Sequence, residues 1–180
     1  MRSPERVVLL FADELTYYRR PSKAPAYYRR GKGQPLARDV PGANTKTRII
    51  AVMDSTTGRV IYMQRSRIGK KALIDFWTQV RAAYPQAEEI YIVEDNWPPH
   101  KLPDVLAAMD DQGLTPLFLP TYASWLNPIE KLWRWLKQDV LHLHRLAHAL
   151  NTLRQQVREF LDQFAEGSEA LLRYVGLSPG

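Results

Sequence analysis

The 180-residue chain is 45% hydrophobic and 24% charged, enough apolar material for one full core and too little for two ordinary domains. It contains no cysteine, which removes disulfides, thiolate zinc sites and a cysteine nucleophile and leaves a cytoplasmic setting as the simplest expectation. Residues 7–12 form the longest apolar run, far below the roughly 20 residues that span a bilayer, and no basic-then-apolar signal pattern opens the sequence.

Residues 7–12 are β-branched, apolar and aromatic and run into Asp13-Glu14, so a buried strand ending in two acids is predicted. Next comes the segment that carries the positive charge. Residues 17–48 hold nine bases against Asp39 alone, which exceeds the whole chain's net +6. Tyr17-Tyr18-Arg19-Arg20 returns ten residues later as Tyr27-Tyr28-Arg29-Arg30, among prolines and glycines that break regular structure. A basic, aromatic-studded loop follows. Tyr17, Arg19, Arg20, Lys23, Tyr28, Arg29, Arg30, Lys32 and Arg48 are its candidate DNA contacts, because the cations neutralise phosphates and the tyrosines can stack on bases or sugars. A solvated loop with its tyrosines packed on the core is the alternative.

Residues 48–53 and 59–64 read as a hairpin around Asp54-Ser55-Thr56-Thr57-Gly58, which makes Asp54 a turn residue. From 70 to 84, Ala72, Leu73, Phe76, Trp77, Val80 and Tyr84 recur at helical spacing before Pro85. Residues 89–93 are a second strand ending in two acids, Glu94-Asp95; 102–112 is a helix, and 115–119 another buried strand. The rest is helical: 128–140, then a run with Leu146, Leu150, Leu153, Val157, Phe160 and Phe164 inward, then 168–175. This order predicts an α/β fold, a mixed sheet covered by helices on both faces.

Chemistry in such sheets collects at the carboxyl ends of strands. Asp13 and Asp95 occupy such ends, and Glu130 lies in the first turn of a later helix. Two aspartates on neighbouring strands, about 5 Å apart, repel unless a cation holds them. Mg²⁺ accepts a few carboxylates and keeps positions for phosphate oxygens, and two such ions about 4 Å apart can stabilise both attacking and leaving oxygens. Carboxylates beside a polyanion-binding loop therefore suggest phosphodiester chemistry. Each acid also has a plainer reading. Glu14 or Glu94 could be the inward-facing member of its pair, and Asn127, Pro128 and Glu130 form a capping-box pattern with Arg134 as an i, i+4 partner for Glu130. His142, His144 and His148 do not complete a zinc pattern with Asp139. Trp97 and Trp125 adjoin Asp95 and Glu130, where they could stack on a distorted DNA end or simply pack.

The apolar strand ending Ala12-Asp13-Glu14, the second ending Val93-Glu94-Asp95-Asn96 with His100 following, and the block from Leu119-Pro120 through Trp125-Leu126-Asn127-Pro128-Ile129-Glu130 together resemble the DDE transposases of bacterial insertion sequences. The similarity is to the mariner-related branch, whose spacing of 34 residues between the last two acids is also that between Asp95 and Glu130. The resemblance implies a ribonuclease-H-like (retroviral-integrase-like) catalytic domain with a five-stranded sheet. Asp13, Asp95 and Glu130 match its metal-binding triad, and Asn96, His100, Trp125, Asn127 and Pro128 match motif neighbours that are not ligands. It further implies Mg²⁺, with Mn²⁺ able to substitute and two ions in the site, double-stranded DNA as partner, and a dimer in the active complex. Ser124 stands where many members have proline. Residues 1–180 are expected to be a single catalytic domain without the helix-turn-helix region that members usually carry, which a companion chain could supply. A stand-alone nuclease of the same fold and a non-catalytic DNA-binding remnant are the rival expectations.

Overall fold

The computed structural model describes residues 7–22, 31, 40–121 and 123–177. Five strands, β1 (Val7–Tyr18), β2 (Lys46–Asp54), β3 (Val60–Arg65), β4 (Glu89–Glu94) and β5 (Leu114–Phe118), form one sheet in the order β3-β2-β1-β4-β5. The β3-β2-β1 part is antiparallel and the β1-β4-β5 part parallel. Parallel neighbours need crossovers. Two helices, α1 (Lys70–Ala83) and α2 (Pro103–Asp111), supply them. Three more, α3 (Ile129–Leu136), α4 (Leu150–Asp162) and α5 (Glu169–Val175), complete the chain.

Side-chain alternation along the strands splits the interior into two cores. Leu10, Ala12, Ile50, Val52, Ile90 and Ile92 face Leu73, Phe76, Trp77 and Val80 of α1 and Val105 and Met109 of α2. Leu15, Tyr17, Ile49, Ala51 and Met53 face α3, α4 and α5 through Ile129, Trp133, Leu153, Val157, Leu161 and Leu171. The expected mixed sheet with helices on both faces is what forms. Truncating a fully buried Phe76 or Leu73 to alanine would cost about 2–5 kcal/mol.

The hairpin turn is built as its residues dictate. Asp54 Oδ1 accepts hydrogen bonds from the Thr56 and Thr57 N–H groups at 2.8 and 2.9 Å. Gly58 has φ +68°, and a Cβ there would lie 2.5 Å from the Ser168 carbonyl oxygen, so only glycine fits. Ser168 caps α5 by accepting from the Leu171 N–H.

Three local expectations are corrected. The first strand does not stop at Ala12: pairing to β2 continues through Tyr18↔Lys46, which sets Asp13 and Glu14 inside a strand, on opposite faces. The strand expected to be buried over 115–119 is β5, a sheet edge with Leu117 and Phe118 exposed. The single helix expected over 128–140 is α-helical to Leu136 and then passes into a π-turn, Lys137–Leu141.

Candidate active site

The parallel ladder between β1 and β4 ends at Phe11↔Val93. Continuing its register by two residues brings Asp13 abreast of Asp95, just where the sheet opens. Both line one cavity of about 270 Å³ together with Glu14, Thr16, Arg48 and Trp97. A second cavity of about 300 Å³ shares Asp95 and Trp97 and is walled by Asn96, Leu119, Pro120, Thr121 and Ala123.

Each aspartate is oriented by a nitrogen donor. The Trp133 indole N–H from α3 donates to Asp13 Oδ2 at 2.9 Å, and the Trp97 backbone N–H donates to Asp95 Oδ1 at 2.8 Å. Among the described residues neither aspartate has an ion-pair partner. Burial first, then the carboxylates of Glu130 and Glu14, pushes Asp13 up to about 7. Such an uncompensated set of hard oxygen donors suits a divalent cation, which would reverse that penalty. As they stand, no three His, Asp or Glu side chains among the described residues are grouped to hold one ion. Asp13 and Asp95 are therefore brought together, while Glu130 acts on Asp13 from the adjoining helix without closing the site.

Asn127 has a different job from the one its spacing suggests. Its side chain does not cap α3, whose first turn lacks any side-chain cap. It is buried, and its Nδ2 donates to the Ala12 carbonyl at 2.8 Å. The residue preceding Asp13 is thereby tied to the loop preceding Glu130. The capping box is not made, and no Glu130–Arg134 ion pair occurs among the described contacts. Pro128 precedes α3 in helical conformation at φ −60°. Asn96 Nδ2 reaches the Leu119 carbonyl at 2.5 Å, binding the end of β4 to the loop after β5. Trp125 is 76% exposed, with Leu126 beside it also open to solvent.

The neck of the basic loop is structural rather than free. Tyr17 is buried in the core with its hydroxyl donating to Gln64 Oε1 at 2.9 Å, so it is not available for stacking. The Arg19 guanidinium donates to the carbonyls of Val40, Pro41, Ala43 and Ala147, and Arg20 donates to that of Gly42. Arg48 alone of the described candidate contacts lines the aspartate cavity. Lys23, Tyr28, Arg29, Arg30 and Lys32 lie outside the described residues. His144 is buried, Nδ1 accepting from the Leu146 N–H at 3.1 Å.

Sequence reasoning left open which acid of each pair turns inward, and missed the consequence. Glu94 is fully buried and Glu14 partly so, and His100 lies between them: Nε2 contacts Glu14 Oε1, and Nδ1 is 2.8 Å from Glu94 Oε2. Burial opposes the imidazolium, but the Glu14 and Glu94 carboxyl groups set against its two nitrogens win and raise His100 to about 10. Burial raises Glu14 as well, with the His100 contact pulling it back. The available signal was the pairing of Glu14 next to Asp13 with a histidine five residues after Asp95, which no local rule connects.

The family model described as DDE superfamily endonuclease matches residues 8–154. An insertion element IS630 uncharacterized 39 kDa protein of Shigella sonnei is 23% identical over 155 residues, covering 86% of this chain and 44% of its own length. The chain thus spans less than half of that relative. Among solved structures, the Mos1 mariner paired-end complex with Mn superposes with a TM-score of 0.68 at 17% identity, covering 93% of this chain and 51% of Mos1. The Mos1 catalytic domain gives 0.59 at 15% identity, covering 96% and 76%. The fold is ribonuclease-H-like, and the chain belongs to the DDE superfamily of endonucleases.

Proposed function

We propose that this chain is the catalytic domain of an insertion-element transposase of the IS630 and mariner type, cutting phosphodiester bonds at element ends and joining the freed 3′-hydroxyl to target DNA. The observation that carries the reading is the unpaired Asp13–Asp95 couple in one cavity at the end of the sheet, with Glu130 acting on Asp13 from α3. Membership of the endonuclease family and the likeness to Mos1 complexes with transposon ends support it.

Asp13 and Asp95, joined by Glu130 turning in from α3, would hold Mg²⁺ or Mn²⁺, two ions in the full complex. A bound ion of this kind lowers the pKa of its water and offsets charge on the phosphate. The protein supplies orientation. Trp133 and the Trp97 backbone N–H fix the two aspartates, and Asn127 holds the Glu130 loop against β1. Arg48 takes a non-bridging phosphate oxygen at the cavity wall, and Arg29, Arg30, Lys23, Lys32 and Tyr28 grip the DNA backbone from the basic loop. Water first cleaves the strand; the 3′-hydroxyl then attacks target DNA in the same cavity. Recognition of element ends comes from a helix-turn-helix region outside the folded unit described here, and a dimer pairs the two ends in the cytoplasm. Among the described residues no helix is long and apolar enough to cross a membrane.

The test is Mg²⁺-dependent nicking of plasmid DNA and joining of pre-cut duplex ends by the parent, Asp95→Asn and Glu130→Gln. Both activities in the parent and neither in the variants support the reading. Nicking without joining makes the chain a nuclease of the same fold, and activity that survives either substitution removes the carboxylate site.

A further inference from the structure

Glu14 and Glu94 are the acids that the proposed chemistry leaves over, and both are held by one imidazole. The His100 side chain is 1% exposed, that of Glu94 0% and that of Glu14 16%. Trp97 meets the His100 ring edge-on at 5.2 Å and Trp77 does so at 6.3 Å, covering the imidazole, while Glu14 reaches it from the wall of the aspartate cavity. A neutral imidazole carries a single N–H, so two ionised carboxylates are both met only by the doubly protonated ring. A buried imidazole set between two carboxylates is expensive to assemble, and a positional role is the use such bridges serve.

Its place in the fold identifies that role. The backbone ladder joining β1 to β4 stops at Phe11↔Val93, two residues short of the aspartates. Beyond that point the end of β4 is tied toward β5, through the Leu119 N–H to the Glu94 carbonyl at 2.8 Å and through Asn96 to Leu119. His100 lies in the short 3₁₀ turn after β4, Pro98–Lys101. From there it takes hold of Glu14 on β1 and Glu94 on β4, on the face of β1 opposite Asp13. The link across the strand pair is thus renewed where the hydrogen-bond ladder has ended.

We propose that His100 is a positioning residue, a staple between β1 and β4 that sets the Asp13–Asp95 separation and hence the metal affinity of the site, without touching ion or DNA. This rests on the carboxylate-site reading above. A merely electrostatic role has the opposite sign: removing a positive charge near a cation site tightens binding. Loss of an orienting partner weakens it, by about 10–100-fold in metal sites.

The experiment is titration of the full chain with Mn²⁺, free aqueous ion being read by electron paramagnetic resonance, for the parent, Asp95→Asn and His100→Gln, with folding checked by circular dichroism. The expected result is binding by the parent, loss in Asp95→Asn, and about tenfold weaker binding in His100→Gln, whose amide can donate to only one carboxylate at a time in the staple's geometry. Unchanged or tighter binding in His100→Gln, with Asp95→Asn still defective, overturns the staple and leaves the site reading intact. No binding by the parent, or parent-like binding by Asp95→Asn, overturns both. If His100→Gln does not fold, Glu14→Gln, Glu94→Gln and their double variant decide the matter. One shared bridge predicts a double no weaker than the worse single, whereas additive losses overturn it.

Discussion

On one face of β1, Asp13 has an indole N–H for a partner and the carboxylate of Glu130 nearby, with no cation paired to it among the described residues. On the other face, one residue later, Glu14 shares a buried imidazolium with Glu94. Four acids thus sit just beyond the point where the ladder between β1 and β4 ends, and the protein neutralises only two of them. The compensated pair belongs to the framework. The uncompensated pair keeps a standing electrostatic penalty, the arrangement expected where a ligand is to supply the missing charge.

The contrast is broken most decisively at Asp13. Asp13→Asn should lower nicking by at least about 10³-fold while raising the stability of the metal-free protein by on the order of 1–3 kcal/mol at pH 8, measured by urea unfolding. The sign follows from its raised value of about 7: the folded state keeps a proton that the unfolded chain has lost, so stability falls as pH climbs from about 4 through 7. A less stable Asp13→Asn would mean that the two faces do not differ in this way.

On Glu14's face substitution should destabilise rather than stabilise, and the loss of stability with rising pH lies in a higher window. His100 is raised to about 10, so its stabilising contribution holds at neutral pH and is lost as pH rises from about 6.5 through 10. Stability of the parent relative to His100→Gln should therefore shrink by a few kcal/mol over that window. A constant difference would contradict the charged bridge.

Asn127→Ala sharpens the account of how Glu130 is held. Removing the amide that reaches the Ala12 carbonyl should cost about 1–3 kcal/mol in stability, with joining reduced more than DNA binding. The smallest effects belong to the cations. Arg48→Ala should weaken DNA binding about threefold to tenfold, and Arg29→Ala with Arg30→Ala should reduce the salt slope by about two. Indifference of the slope would remove the basic loop from the DNA interface.

What could be read in the sequence was what depends on neighbours along the chain. The Asp54–Gly58 turn, the apolar stripe of α1 and the Ser168 cap are local, and each forms as its residues dictate. The approach of Asp13 to Asp95 was legible as acids following two apolar runs, although β1 continues past Asp13. Asn127 was misread because its partner, the Ala12 carbonyl, is 115 positions away, and capping is the nearer use of an asparagine before a helix. Tyr17 was misread because it belongs to a tyrosine-arginine repeat, yet Leu15 and Tyr17 continue the inward alternation of β1. The tie between Glu14, Glu94 and His100 spans three elements, and only the sheet order brings them together.

The most direct test is diffraction from crystals soaked in Mn²⁺, with the ion located by its anomalous signal. Density between Asp13 and Asp95, with the Glu130 carboxylate turned onto it and Glu14 and Glu94 still on His100, is the predicted result. An ion held by Glu14 or Glu94, or a soaked site in which Asp13 and Asp95 stay unliganded, would contradict it.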